Sequence, residues 1–355
     1  MSDLKPSDLL DLDALLSDEE RQIRDLAREW VRDRILPEVD DWYERGEFPA
    51  RELAKELGEL GFFGMQLPGI GDLGAVAYGL VELELEAGDS GLRSFVSVQS
   101  ALAMYAIHSF GSDEQKARWL PRMASGDAIG CFGLSEPDSG SDPSSMRTTA
   151  RRDGADWIVN GTKMWITNGG VSDVAVVWAN TDDGIRGFLV PCDHAILPGV
   201  EGLRGPLSCL NEARYGIVWG VMGAARSCFE TALTYAKERV QFDRPIASFQ
   251  LTQKKLVDMA VELTKGTLLA YHLGRTKEDG RLRAEQVSIG KLNNTREAIA
   301  IARTSRGILG ANGITLEYPI MRHMTNLESV LTYEGTEEVH TLVVGHVLTG
   351  IRAFT

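Results

Sequence analysis

Apolar positions along the chain first follow a helical period, then fall into short strand-like runs, then return to a helical period. In the opening stretch, Ile23, Leu26, Trp30, Val31 and Ile35 recur at the spacing of one helix face and predict a helix over 17–34. Ser17 followed by Glu20 is a capping-box start, and Pro37 marks the exit. Similar patterns predict helices over 51–60, 75–86, 96–110 and 112–124, the last opening with S-D-E. After Gly126 the runs 129–134, 157–159, 174–178 and 187–190 read as strands, separated by Gly, Asp and Asn turns. No βαβ alternation runs through them. From Asn211 onward long helical blocks predict a bundle over 213–240, 250–275, 284–309 and 329–349. The expected fold is mainly α with a central β domain. A helical N-terminal domain (1–126) precedes a small β-sandwich or barrel-like domain (127–209) and a C-terminal four-helix bundle (210–355).

Composition narrows the function classes. A length of 355 residues suits two or three packed domains, and 43% hydrophobic with 25% charged residues is an ordinary globular balance. The formal charge of −14 sets the surface against phosphate backbones and anionic lipid, so neither nucleic acid nor membrane is expected as a partner. An anionic ligand would need a local basic pocket. The four cysteines, Cys131, Cys192, Cys209 and Cys228, form no C-x-x-C pair, which argues against a zinc site or a disulfide framework. The N-terminus lacks a basic n-region, and no apolar run approaches the roughly 20 residues of a membrane span. These features predict a soluble intracellular protein, either cytoplasmic or an already processed organellar one.

Two motifs mislead. Gly69-Ile70-Gly71-Asp72-Leu73-Gly74 has the letters of the dinucleotide fingerprint, but a Pro68 loop precedes it where a strand is required. It reads as an interhelix turn. Glu337 and His340 form one Glu-x-x-His pair, whereas a di-iron bundle needs that pair twice. No metal is expected.

The stretch Gly133-Leu134-Ser135-Glu136-Pro137-Asp138-Ser139-Gly140-Ser141-Asp142 ends a predicted strand in a polar loop rich in hydroxyls and backbone donors. Two further stretches are G-T-K-M-W-I-T-N (161–168) and L-T-Y-E-G-T (331–336). Together these resemble the acyl-CoA dehydrogenase family of flavoproteins over nearly the whole chain. Within that family the segments S-G-L-R-S-F-V-S-V-Q-S (90–100), C-F-G-L-S-E-P and L-N-E-A-R-Y-G-I (210–217) are most similar to the glutaryl-CoA dehydrogenase subfamily.

The resemblance implies an FAD enzyme, commonly a homotetramer, that oxidises an acyl-CoA thioester and passes electrons to an electron-transfer flavoprotein. Glu334 matches the catalytic base that removes an α-proton, a task suited to a desolvated carboxylate beside a polarised thioester carbonyl. Arg93 matches the residue that pairs the distal carboxylate of a glutaryl chain; the plainer reading is an ion pair with Glu86 or Asp89. Ser97 matches a further substrate contact, while Glu86 and Tyr333 resemble positions of decarboxylating members, which release crotonyl-CoA. For the flavin ring and ribityl chain the matches are Phe132, Leu134, Ser135, Trp165, Ile166 and Thr167. Arg239, Phe242 and Gln253 match groups that hold the adenosine diphosphate part, some across a subunit interface. Thr336 and Glu338 match C-terminal cofactor contacts, and Asn312 and Gly313 lie in a second signature, G-A-N-G-I, that is imperfect here. Ser141, Asn211 and Arg214 are the candidates for coenzyme A. One departure stands out: after Asp193 the family continues with several strands before its L-P-G segment, whereas His194 follows at once here. The chain is therefore expected to lack part of the middle β domain. Other readings are a dehydrogenase of another short acyl-CoA and a catalytically impaired FAD- or acyl-CoA-binding scaffold.

Overall fold

The computed structural model describes residues 5–154, 156–191 and 195–353. In chain order the first elements are α1 (Asp18–Trp30), α2 (Val39–Arg45), α3 (Ala50–Glu59), α4 (Ala75–Gly88), α5 (Ser90–Ser97), α6 (Tyr105–Phe110) and α7 (Asp113–Ala124). Then come β1 (Gly130–Gly133), β2 (Thr149–Asp153), β3 (Asp156–Asn160), β4 (Val174–Thr181) and β5 (Gly184–Val190). Helix α8 (Arg204–Glu238), a short hairpin of β6 (Val240–Gln241) and β7 (Arg244–Pro245), α9 (Gln250–Glu278), α10 (Ala284–Leu309), α11 (Ile320–Thr332) and α12 (Glu337–Thr349) complete the chain. The contacts divide it into two compact units. The first comprises Met1–Phe48, Gly74–Arg93 and Arg214–Thr355, and the second Pro49–Leu73 and Ser94–Ala213.

The local signals hold where they are chemical. Ser17 Oγ accepts from the Glu20 amide at 3.2 Å, and Glu20 returns the bond to the Ser17 amide at 2.8 Å, a complete capping box. The G-x-G-x-x-G stretch is a turn ahead of α4, with the Gly69 amide bonded to the Asp72 carboxylate at 2.8 Å and no strand before it.

Four expectations change. The block 329–349 is two helices: Thr332 ends α11, Glu334 and Gly335 take left-handed φ values of 55° and 95°, and Thr336 caps α12. Helical periodicity is blind to such a break because the flanking apolar residues stay nearly in phase. The block 96–110 begins earlier, at Ser90, and passes through a π-helical stretch at Val98–Met104. Helix α8 starts at Arg204, since Pro206 in a first turn costs no helical hydrogen bond. The β region gains the strand β2, T-A-R-R-D, whose only buried residue is Ala150. It carried too little apolar alternation to be seen.

In the second unit the strands form one sheet in the order β1-β4-β2-β3, with β5 also paired to β4. β1 runs parallel to β4, and β5 antiparallel. Its core is aromatic: Phe132 lies 6.1 Å from Trp178, and Trp157 packs edge-on to Phe188 at 5.2 Å. The segment where strands were expected to be missing, 192–194, and Cys192 with it, lies outside the described residues.

The first unit is built around α4, which is buried on every side. α8 approaches it closely because a side chain at Gly223 would collide with the Leu83 carbonyl and one at Gly220 with the Glu86 carboxylate. Burial of α4 takes Glu82, Glu84 and Glu86 out of water, so each needs a partner. Glu84 receives Arg28 at 2.8 Å and Arg226 at 2.5–2.8 Å. Burial pushes its carboxyl up, but Arg226 and Arg28 outweigh that and hold it at about 2. With the folded-state value depressed, the stabilisation is present above the ordinary carboxylate range and is lost as pH falls toward 2. We predict that Glu84→Gln destabilises the protein by about 3 kcal/mol in urea unfolding at pH 7. The difference from wild type should shrink as pH falls from 4.5 toward 2, and a pH-independent difference would exclude this assignment.

Candidate active site

The break between α11 and α12 presents Glu334 to a buried cluster within the first unit. A glutamate in the left-handed region carries a backbone cost of about 1–2 kcal/mol, which its surroundings must supply. They do so through the main chain. Arg214 Nε donates to the Glu334 carbonyl at 2.7 Å, and Lys291 Nζ donates to the carbonyls of Tyr333 and Gly335 at 2.5 and 2.6 Å. His340, buried on α12, packs under Gly335, and burial pushes its imidazole down to about 3, so it is neutral there.

The Glu334 carboxylate itself is left free to act: Oε2 is shut off from solvent and has no hydrogen-bond partner among the described residues. Desolvation raises its pKa, opposed by the charges of Arg93, Lys291 and Arg214. Such a group is a stronger base than a solvated carboxylate.

Arg93, 0% exposed, organises the other half of the cluster. Its Nε donates to Glu86 Oε2 at 2.7 Å, its Nη2 to the Tyr333 hydroxyl, and its guanidinium lies 5.7 Å from the Tyr333 ring centre. Ser90 Oγ donates to the second Glu86 oxygen at 2.9 Å. Asp89 pairs elsewhere, with Arg322 and Asn326. The ion pair with Glu86 is therefore real, and one donor remains: Arg93 Nη1 is buried with no hydrogen-bond partner among the described residues. Glu82 Oε2 sits 3.9 Å from Arg93 Nε. Desolvation lifts the Glu82 carboxyl to about 8 against the pull of Arg93, so at neutral pH it is mostly protonated.

Glu86, Arg93, Tyr333, Glu334 and Arg214 thus come together. Arg214, expected at coenzyme A, holds the turn at Glu334 through the Glu334 carbonyl. Burial lowers its pKa while the Glu334 charge raises it. Most of the remaining candidates of this unit lie on its surface. Arg239 and Gln253 are exposed, and Phe242, 87% exposed, tips the β6–β7 hairpin with a φ of 52°. Asn312 Nδ2 donates to the Tyr235 hydroxyl at 3.1 Å, Gly313 is buried, Thr336 caps α12 and Glu338 is exposed.

The second unit carries a separate set. Phe132 and Leu134 are buried at the end of β1, while Ser135 is half-buried. Trp165, Ile166 and Thr167 follow in a loop where Trp165 takes a φ of 59° and leaves its indole 84% exposed. Lys163 binds the two loops together, donating to the Leu134 carbonyl at 2.9 Å and to Glu136 at 2.8 Å. Glu136 also accepts from the amides of Arg147 and Thr148. Against its burial, Lys163 and these donors hold it at about 2. Ser97 and Asn211 are inward-facing, with Ser97 Oγ and Asn211 Oδ1 lacking a hydrogen-bond partner among the described residues, and Ser141 is exposed.

Four side chains were not anticipated: Lys291, Glu82, Glu136 and Lys163. For Lys291 a signal existed, because it shares one face of α10 with the buried Val287, Asn294 and Ala298. Glu82 lies four residues before Glu86 on a helix whose one other charged residue is Glu84. Neither charge belongs on such a face without a task. Among the described residues no group of three or more His, Cys, Asp or Glu side chains is placed to hold a metal, and no helix is long and apolar enough to cross a membrane.

Comparison with known proteins gives three adjoining matches. They are acyl-CoA dehydrogenase N-terminal domain over 17–127, middle domain over 131–206 and C-terminal domain over 201–349. A solved structure of glutaryl-CoA dehydrogenase from Mycobacterium smegmatis is 61% identical, with a TM-score of 0.97 over 99% of this chain and 100% of that one. A second, of a glutaryl-CoA dehydrogenase from the same organism in complex with FADH2, is 56% identical with a TM-score of 0.97 and the same coverage. The glutaryl-CoA dehydrogenase of Desulfococcus multivorans is 30% identical over 385 residues, covering 96% of this chain and 99% of that relative. An alignment of 385 residues against a chain of 355 leaves at least 30 positions of that relative without a counterpart.

The turn gives its own test. A methyl group at Gly335 would meet His340 Nε2 at 2.9 Å and would occupy a left-handed φ. Gly335→Ala should cost about 2 kcal/mol in urea unfolding. Gly345→Ala, in open space on α12, should be neutral or stabilising by up to about 1 kcal/mol. Equal effects of the two substitutions would show that the turn is not held as described.

Proposed function

The chain belongs to the acyl-CoA dehydrogenase family, and from that premise we propose that it is an FAD-dependent glutaryl-CoA dehydrogenase. It oxidises the acyl thioester across Cα–Cβ, releases the distal carboxyl as carbon dioxide to give crotonyl-CoA, and passes electrons to an electron-transfer flavoprotein. The carrying observation is Glu334: a desolvated carboxylate with an unpartnered oxygen, ringed by Arg93, Lys291 and Arg214. Glu334 Oε2 takes the α-proton, and the surrounding cations stabilise the carboxylate while the site is dry. Arg93 Nη1, the open donor of a buried guanidinium, receives the distal carboxylate of the acyl chain. Glu86 and Tyr333 hold the rest of that guanidinium, so the fork cannot swing away. Ser97, Ser141, Asn211 and Arg214 complete the substrate contacts in this reading.

FAD, when bound, supplies the hydride acceptor. The second unit fits it: the exposed Trp165 indole offers a face for a flat ring, with Phe132, Leu134, Ser135, Ile166 and Thr167 beside it. Arg239, Phe242, Gln253, Asn312, Gly313, Thr336 and Glu338 would hold the remainder. The three adjoining family matches support the division at 1–126, 127–209 and 210–355. Exposed Leu251, Val257 and Val261 on α9, with Leu348 on α12, support a homotetramer that covers them. Relatives of bacterial and of mitochondrial origin fit either a bacterial cytoplasmic setting or, for a processed form, the mitochondrial matrix.

Glu334→Gln should purify with the visible bands of bound flavin yet oxidise glutaryl-CoA at least about 10³-fold more slowly. Unaltered turnover would remove Glu334 from the role of base. Wild-type protein that binds flavin and acyl-CoA but oxidises neither glutaryl-CoA nor butyryl-CoA would mark a binding scaffold. Arg93→Ala should lose about 100-fold or more in kcat/KM with glutaryl-CoA and much less with butyryl-CoA. Equal losses with both would favour the dehydrogenase of another short acyl-CoA.

A further inference from the structure

Lys291 is 2% exposed, and a lysine is buried only where its ammonium is needed. Its donors go to the carbonyls of Tyr333 and Gly335, which bracket Glu334, while Arg214 takes the Glu334 carbonyl between them. Three successive carbonyls thus face two cations that come from α8 and α10. These carbonyls lie beyond the end of α11, where no helical amide can satisfy them. The two cations, with His340 packed against Gly335, hold Glu334 at a φ of 55°, a conformation that costs a glutamate free energy on its own.

We infer that Lys291 is a positioning residue, which fixes the peptide units on either side of Glu334 and so aims its carboxylate. The inference rests on the proposed role of Glu334 as the base. Electrostatics act in the same direction. The charged and titratable groups around Lys291 are Glu334, Arg214, Arg93 and His340. Burial pushes the ammonium down to about 7, the Glu334 carboxylate pulls it up, and Arg214 and Arg93 push it down again. The Lys291 charge in turn lowers the pKa of Glu334. Loss of that charge therefore raises the pKa of the base and moves the acid limb of the rate profile to higher pH.

The test compares the flavin-loaded wild type with Lys291→Met and Lys291→Gln, the latter keeping N–H donors without the charge. Lys291→Met should lose about 100-fold in kcat for glutaryl-CoA with KM within about threefold, since a base displaced by about 1 Å costs that much. Its acid limb should move up in pH, and amide hydrogen exchange should quicken about tenfold or more within 333–339 and not elsewhere. Lys291→Gln should show the same movement of the acid limb with a smaller change in exchange. If Lys291→Met cannot be purified folded, Lys291→Gln decides alone: an acid limb and exchange identical to wild type overturn the inference. Wild-type kcat, acid limb and exchange in Lys291→Met would likewise overturn it. Faster exchange confined to 333–339, in a protein whose wild type oxidises no acyl-CoA, would uphold the hold on the turn and defeat the proposed function.

Discussion

Removing charge from water is the constraint on which the first unit turns. Glu82, Glu86 and Glu334 share a desolvated cluster with Arg93, Arg214 and Lys291, and Glu82 enters it mostly protonated near neutrality. No member is tolerable alone, because a single buried ion costs several kcal/mol without its counterpart. The packing follows from that requirement. α4 brings two of the carboxyls, Arg93 lies one turn beyond its end, α8 brings Arg214 and α10 brings Lys291. The glycines of α8 exist in this arrangement to let it lie against α4 where Glu86 and the Leu83 carbonyl leave no room for a side chain.

The cluster is balanced unevenly, and the imbalance has chemical meaning. Glu84, two residues from Glu82 and Glu86, faces the other way and is held fully charged by two arginines. Glu82 faces Arg93 at a longer distance and is mostly protonated near neutrality. One helix therefore carries a purely structural carboxylate, an ion-paired one and a neutral one, separated only by which way each side chain leaves the axis.

Much of this was legible in the residues, and the limits are physical. Capping boxes and turn glycines act locally, so Ser17–Glu20 and the Gly69–Gly74 turn read correctly from a few letters. T-Y-E-G-T singles out Glu334, but not its placement, since an unbroken apolar period hides the break there. Helix α4 reads as a buried helix with three glutamates, yet which of them meets Arg93, Arg28 or Arg226 depends on residues up to 142 positions away. β2 escaped because a strand with one buried alanine has no hydrophobic signature, although it lies between β4 and β3 in the sheet. On the second unit the loops were recognised by motif, whereas the tie between them, Lys163 with Glu136, is a tertiary fact.

The manner in which the turn at Glu334 is held has one more implication. Arg214 and Lys291 grip carbonyl oxygens, and carbonyls are common to all twenty residues. The geometry of that position is thereby insulated from the identity of the side chain it displays. Residues that enter the left-handed region readily, such as asparagine, aspartate or glycine, would find the same seat waiting. The fold behaves as a socket into which different reactive groups can be fitted, so new chemistry could be installed at position 334 without rebuilding what supports it.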